Sequence, residues 1–197
     1  MKKALEAYWG DKISAEELLK VAKEQRLNTY ATIKEQGVDF VPTGTFSLYD
    51  HVLDMSNTLG IIPEAYAKSG LSQLDTYFAM ARGHQKGGVD LPATEMKKWF
   101  DSNYHYLVPE FSEKSEFKLN DNKPVDDFIE AKEAGYNARP VILGPLTLLW
   151  LGKTSKDAQD PNFNRYSLLP KLAQTYVQLF EKLAAAGAPW VQLDEPI

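Results

Sequence analysis

The chain has 197 residues, 44% hydrophobic and 25% charged, a globular composition with enough length to bury one sizeable core. Its net charge is −5, so no basic surplus exists to neutralise phosphates, which argues against nucleic-acid or polybasic membrane binding. The absence of cysteine removes disulfides and thiolate metal ligands.

In chain order, Leu5, Tyr8 and Trp9 form a first helical apolar face. Ser14 with Glu17 three residues on is a capping box. Leu18, Leu19, Val21, Ala22, Leu27 and Ile33 continue at helical spacing toward Gly37. The β-rich run Val38-Asp39-Phe40-Val41-Pro42 follows at once, as in an αβ unit. Helices are expected over 48–59 and 72–82, then a glycine-containing loop over 83–92 and a helical turn over 95–100. Residues 104–109 read as a strand closed by Pro109, and residues 125–134 as a helix stopped by Gly135. The run Pro140-Val141-Ile142-Leu143-Gly144-Pro145 is apolar on both faces, as a buried parallel strand requires. A short helix over 146–151, a polar loop over 153–164, a long helix over 168–186 and a last strand over 190–196 complete the chain.

Strands alternating with helices imply parallel βα units. The expected fold class is α/β: a partial (β/α) barrel, TIM-barrel-like, with about four parallel strands, since a closed eight-stranded barrel takes ~250 residues. A small doubly wound sheet is the alternative. Residues 1–197 read as one unit without an internal boundary, incomplete without further chain. Unpaired strand edges favour self-association or pairing with the missing part of the barrel. No apolar run approaches the ~20 residues of a membrane span. The first residues lack the apolar core of a secretory signal, so a cytoplasmic location is the default.

Barrel chemistry sits at the C-terminal ends of strands. There the sequence offers Thr43-Gly44, Pro109-Glu110, Gly144-Pro145-Leu146-Thr147 and Asp194-Glu195-Pro196. Asp194 and Glu195 could orient an amine or act as acid and base. Equally, Asp194 could cap the next turn and Glu195 pair with a neighbour. His51 and Asp54 stand three apart on an expected helix, close enough to meet. His105, between two tyrosines, reads as a hydrogen-bonded core or pocket residue, and His84 as an exposed loop residue. Three scattered histidines and no cysteine disfavour a zinc site in this chain. The lysine pairs Lys2-Lys3 and Lys97-Lys98 lie near Tyr8-Trp9 and Trp99-Phe100, a combination that suits an anionic, ring-containing ligand. Solvated helix surface is the other reading. Neither nucleotide-binding glycine motif is present.

Five segments taken together resemble the N-terminal domain of the cobalamin-independent methionine synthase family, in the same order and along the whole chain. They are Lys2-Lys3-Ala4-Leu5-Glu6-Ala7-Tyr8-Trp9, residues 46–54, residues 95–106 with Lys98-Trp99-Phe100 and Asn103-Tyr104-His105-Tyr106, Arg139-Pro140-Val141-Ile142-Leu143-Gly144-Pro145, and residues 190–196 with Asp194-Glu195-Pro196. The stretch around Trp99 to Tyr106 is the most specific.

The resemblance implies a homocysteine methyltransferase of methionine biosynthesis. Its methyl donor is a polyglutamate form of 5-methyltetrahydrofolate, and no cobalamin takes part. It implies two facing barrels, the second holding zinc and homocysteine. In this chain it implies folate-binding roles for Lys2 and Lys98, no catalytic residue and no metal ligand. It places a first strand and an Arg-Glu pair of the folate stretch ahead of Met1, and the zinc barrel beyond Ile197. This chain alone is therefore expected to be inactive. The Asp194-Glu195-Pro196 motif is expected to be structural here. The alternative function is a non-catalytic folate- or anion-binding module, or a scaffold piece.

Overall fold

The computed structural model describes residues Met1–Ile197. Helix α1 (Lys2–Trp9) leads into α2 (Ala15–Glu35), whose capping box is formed. The Glu17 N–H donates to Ser14 Oγ at 3.1 Å and the Ser14 N–H to Glu17 Oε2 at 2.8 Å. Strand β1 (Val41–Thr43) follows, then α3 (His51–Thr58), capped by the Asp50 carboxylate, the short α4 (Glu64–Ala67), and α5 (Gln73–Arg82), capped by Ser72 and ended by Gly83.

Residues 83–92, expected to be a loop, contain the antiparallel hairpin of β2 (His84–Lys86) and β3 (Val89–Leu91). Residues 95–100, expected to be a helical turn, instead contain strand β4 (Met96–Lys98), antiparallel to β5 (His105–Leu107). The segment 104–109 is therefore half of a hairpin and not a strand of the parallel sheet. Its ladder is extended by the Val108 N–H donating to the Glu95 carbonyl at 2.9 Å. Beyond Pro109, which has no N–H to donate, β6 (Glu110–Phe111) forms a two-residue parallel pair with β8 (Lys153–Thr154).

Helix α6 (Lys123–Glu133), β7 (Ala138–Leu143), α7 (Pro145–Leu151), a 3-10 turn (Arg165–Leu168), α8 (Leu169–Ala185) and β9 (Gln192–Asp194) complete the fold, close to the expected bounds. The parallel sheet has three strands in the order β1-β7-β9, one fewer than expected. The chain is thus mixed α/β with parallel strands and no closed barrel. β7 is paired on both sides, with Val41 opposite Ala138 and Val141 opposite Gln192. The ladder to β9 begins directly after Pro140, the residue that cannot donate.

Two apolar clusters fill the interior. The larger packs α6, α7 and α8 on the sheet through Phe128, Leu148, Leu172, Leu179 and Leu183, all essentially buried. The second gathers Leu18, Leu53, Tyr77, Phe78, Met80 and Leu107, with Leu5, Tyr8 and Trp9 of α1 against it. It seats the N-terminal helices and the end of β5 on a common base. No helix is long and apolar enough to cross a membrane.

Directly after β1, Gly44 adopts φ +82°, and a Cβ there would stand 2.6 Å from the Val141 carbonyl oxygen of β7. Left-handed geometry alone costs a side-chain-bearing residue about 1–2 kcal/mol, and the backbone oxygen cannot give way. Gly44→Ala should therefore destabilise the protein by more than that strain. Urea unfolding midpoints would check it, and a loss below about 1 kcal/mol would contradict the close approach.

Candidate functional site

The three parallel strands deliver their C-terminal ends to one cleft of about 830 Å³. Gly44 and Ser47 line it after β1, His51 and Asp54 from α3, Trp99 and Tyr104 from the β4–β5 hairpin, Lys123 from α6, and Asp194 at the end of β9 with Glu195 just beyond it. Ligands of open α/β sheets gather at this edge.

Beneath the cleft lies a chain of charges. Lys123 Nζ stands 2.7 Å from Asp127 and 3.5 Å from Asp54, and donates to the Phe46 carbonyl at 2.8 Å. Arg26 makes a bidentate pair with Glu130 at 2.7 and 2.8 Å and lies 3.5 Å from Asp127. Asp54 also accepts from Tyr77 Oη and Ser47 Oγ, each at 2.7 Å. Burial lifts the Asp54 carboxyl above the usual range, against the pull of Lys123. Burial lowers Lys123, but Asp54 and Asp127 outweigh it and hold the ammonium above the ordinary lysine value. Burial, then Asp54, pushes the Tyr77 hydroxyl up as well. These groups are committed to one another and to the scaffold.

His51 and Asp54 do not meet, although both line the cleft. His51 Nδ1 is 3.3 Å from Tyr104 Oη and 3.6 Å from Asp50, while Asp54 turns toward Lys123. His105 is exposed and bonds only its local Asn103 carbonyl, at 3.0 Å, so the expectation of a core or pocket residue does not hold. Glu195 reaches the N-terminus of α7. It accepts from the Leu146 N–H at 2.9 Å, the Thr147 N–H at 2.8 Å and Thr147 Oγ1 at 2.5 Å. The absence of a side chain at Gly144 makes room for it, since a Cβ there would overlap the carboxylate. Glu195 thus caps α7 and secures the end of β9 to it, whereas the Asp194 carboxylate accepts only from Gln192, at 2.8 Å, and its backbone carbonyl accepts the Gly144 N–H at 2.8 Å.

The adjacent lysines of β4 diverge. Lys97 pairs with Glu95 at 3.4 Å, and Glu95 is itself held by Lys153 at 2.7 Å. Lys98 is likewise exposed and has no ion-pair partner; it precedes Trp99 in the chain, but neither Lys98 nor Lys2 is among the residues that line the cleft. Lys2 is 88% exposed on α1, with only Glu6 nearby at 3.9 Å. No bond joins Lys2 to Lys98, although α1 and β5 rest on the same apolar cluster. No group of three His, Asp or Glu side chains stands close enough to hold a metal ion.

Sequence reasoning missed Lys123, Asp127, Arg26, Glu130 and the capping role of Asp50. Lys123 and Asp127 stand four apart on α6 and were legible as a helical ion pair. The Arg26–Glu130 pair joins two distant helices, and nothing local signals it.

Lys123→Met would leave Asp54 and Asp127 buried without their lysine. The loss should be about 3 kcal/mol at neutral pH, the lower end for a broken buried pair because Lys123 keeps part of its surface in solvent. In that variant the folded state binds a proton on Asp54 more tightly than the unfolded state does. Its stability therefore falls as pH rises from the ordinary carboxylate range through the raised value. The wild type carries the same dependence on Asp54 more weakly, because Lys123 opposes the rise, and in alkali it also loses the Lys123 contribution as pH passes through the raised lysine value. Unfolding curves at about pH 5 and pH 8 should show the gap between the two proteins widening with pH. A gap independent of pH would contradict the buried network.

The family described as "Cobalamin-independent synthase, N-terminal domain" matches residues 1–197. The chain is 53% identical to a probable 5-methyltetrahydropteroyltriglutamate–homocysteine methyltransferase of Schizosaccharomyces pombe, over the whole of this chain and 26% of that protein. It is 50% identical to the methyltransferase of the same name from Saccharomyces cerevisiae, again over 100% and 26%, and 48% identical to that of Flavobacterium johnsoniae, over 100% and 25%. It spans about a quarter of the length of these relatives. With the matched region running from the first residue to the last, this chain belongs to the family of N-terminal domains of cobalamin-independent synthases.

Proposed function

We propose that the chain forms the opening part of the N-terminal barrel of a methionine-forming homocysteine methyltransferase. Within it, the segment helps to hold the glutamate tail of 5-methyltetrahydropteroyltriglutamate, through Lys98 and, less directly, Lys2. The relatives' names carry the substrates. The single observation on this chain that supports the role is the difference between two neighbouring lysines: Lys97 lies 3.4 Å from Glu95, whereas Lys98, directly before Trp99 of the cleft lining, is exposed and has no ion-pair partner. A triglutamate tail carries several carboxylates, and an unpaired ammonium is a point charge for one of them.

In the overall reaction the methyl group passes from the folate nitrogen to the homocysteine sulfur, and a proton equivalent to the one lost from the thiol ends on that nitrogen, giving methionine and the demethylated folate. The residues of this chain do not fit a zinc site. Their part is to bind and orient the anionic cosubstrate. The partial-barrel reading is supported by the parallel β1-β7-β9 sheet, with β1 and β9 as its edges, and by βα connections that bring the strand ends together.

In a full-length protein carrying this segment, Lys98→Ala should weaken the triglutamate folate more than the monoglutamate. The difference should amount to about 1.5–3 kcal/mol if the bond is shielded and below about 1 kcal/mol if it is exposed. The loss should shrink as salt rises. Lys97→Ala should matter less. Titration of both variants with both folates checks this, and equal losses for the two folates would count against the role. Separately, the 197-residue chain alone should self-associate through its unpaired strand edges. Light scattering over a concentration series tests that, and a compact, strictly monomeric particle would contradict it.

A further inference from the structure

One carboxylate holds both ends of β5. Asp50 is 1% exposed. Its Oδ2 accepts the Leu107 N–H at 2.9 Å and, as the cap of α3, the Leu53 N–H at 3.0 Å. Its Oδ1 accepts the Tyr104 hydroxyl at 3.0 Å. Leu107 is the last residue of β5 and Tyr104 directly precedes the first.

From Tyr104 the connection runs to Lys98 in one more bond. The Tyr104 carbonyl accepts the Trp99 N–H at 2.7 Å, and Lys98 lies opposite His105 in the ladder. His51, next to Asp50, packs its ring 4.6 Å from Trp99 and places Nδ1 3.3 Å from Tyr104 Oη. At the hairpin tip Phe100 is held at φ 47°, unusual for a bulky residue, with its ring stacked on Trp150 at 5.3 Å and 10°. Such a conformation persists only where its surroundings over-determine it.

β4 itself is exposed at all three positions, and a lone two-stranded hairpin is marginally stable in water. A charge on such a strand has a fixed direction only if something buried fastens the hairpin. We propose that Asp50 is a positioning residue: through Tyr104 and β5 it sets the direction of the Lys98 ammonium, and so the preference for a polyglutamate over a monoglutamate folate. The proposal rests on the reading of Lys98 given above. Binding gains most from a group already held in its bound geometry.

The test is a double-mutant cycle in a full-length protein carrying this segment, titrated with the triglutamate and the monoglutamate of 5-methyltetrahydrofolate. The variants are Asp50→Asn, Tyr104→Phe, Lys98→Ala and the two doubles with Lys98→Ala. Tyr104→Phe removes one hydroxyl and keeps the ring, so the proposal stays testable if Asp50→Asn does not fold. Each single variant should lower the triglutamate preference several-fold while monoglutamate affinity stays within about twofold. On the Lys98→Ala background neither should lower the preference further, because the effect passes through that lysine. A general loss of stability would weaken both folates alike and would not produce this non-additivity. The positioning role is overturned if Lys98→Ala lowers the preference while Tyr104→Phe and Asp50→Asn leave it intact, or if the losses multiply in the doubles. An unchanged preference in Lys98→Ala instead overturns the reading of Lys98, and the positioning role with it.

Discussion

The arrangement of the C-terminal edge depends on one constraint: β7 is the only strand paired on both sides, and it is parallel to both neighbours. Parallel pairing brings the same ends of β1, β7 and β9 to one place, and the residues following each strand then crowd together. Gly44 approaches the Val141 carbonyl too closely to carry a side chain, and Glu195 folds across Gly144 to cap α7. The cleft is bordered by these close approaches. Its floor is the Asp54–Lys123–Asp127–Arg26–Glu130 network, which joins α3, α6 and α2.

The hairpin that bears Lys98 is fastened differently. It is not part of the parallel sheet, and its outer strand is open to water. Its security comes from the Asp50 carboxylate beneath it and from Lys153, which bridges Glu95 and Glu110 at 2.7 and 3.0 Å. A rigid sheet edge and a fastened hairpin thus flank one cleft. Trp99 and Tyr104 of the hairpin face Asp54 and Lys123 of the scaffold across it.

Much of the scaffold was legible because its signals are local. Ser14 with Glu17, Ser72 before α5 and the apolar run of β7 each specify their element within a few residues. Residues 95–100 were misread because Met96-Lys97-Lys98-Trp99-Phe100 does not alternate in polarity. The strand exists because β5 pairs with it and the Val108 N–H beyond β5 donates to the Glu95 carbonyl. The site was legible only in part. The sequence presents Lys97 and Lys98 as equals, and the structure separates them, one close to Glu95 and one without an ion-pair partner. The spacing of His51 and Asp54 suggested a pair, but nearer tertiary partners claimed each of them.

The distribution of the two apolar clusters bears on how a growing chain acquires this structure. Every buried member of the second cluster lies between Leu18 and Leu107, so that unit is complete early in synthesis. β1 has no such partner nearby. Val41 waits for Ala138, and the other edge of β7 waits for Gln192. During translation the first strand therefore emerges long before anything can pair with it, and closing that loop carries an entropic cost that the early helical unit does not. The hairpin end at Leu107 belongs to the early unit and the cleft floor at Lys123 to the late one. The two walls of the cleft are thus made at different times, and the cleft exists only when the second wall docks on the first.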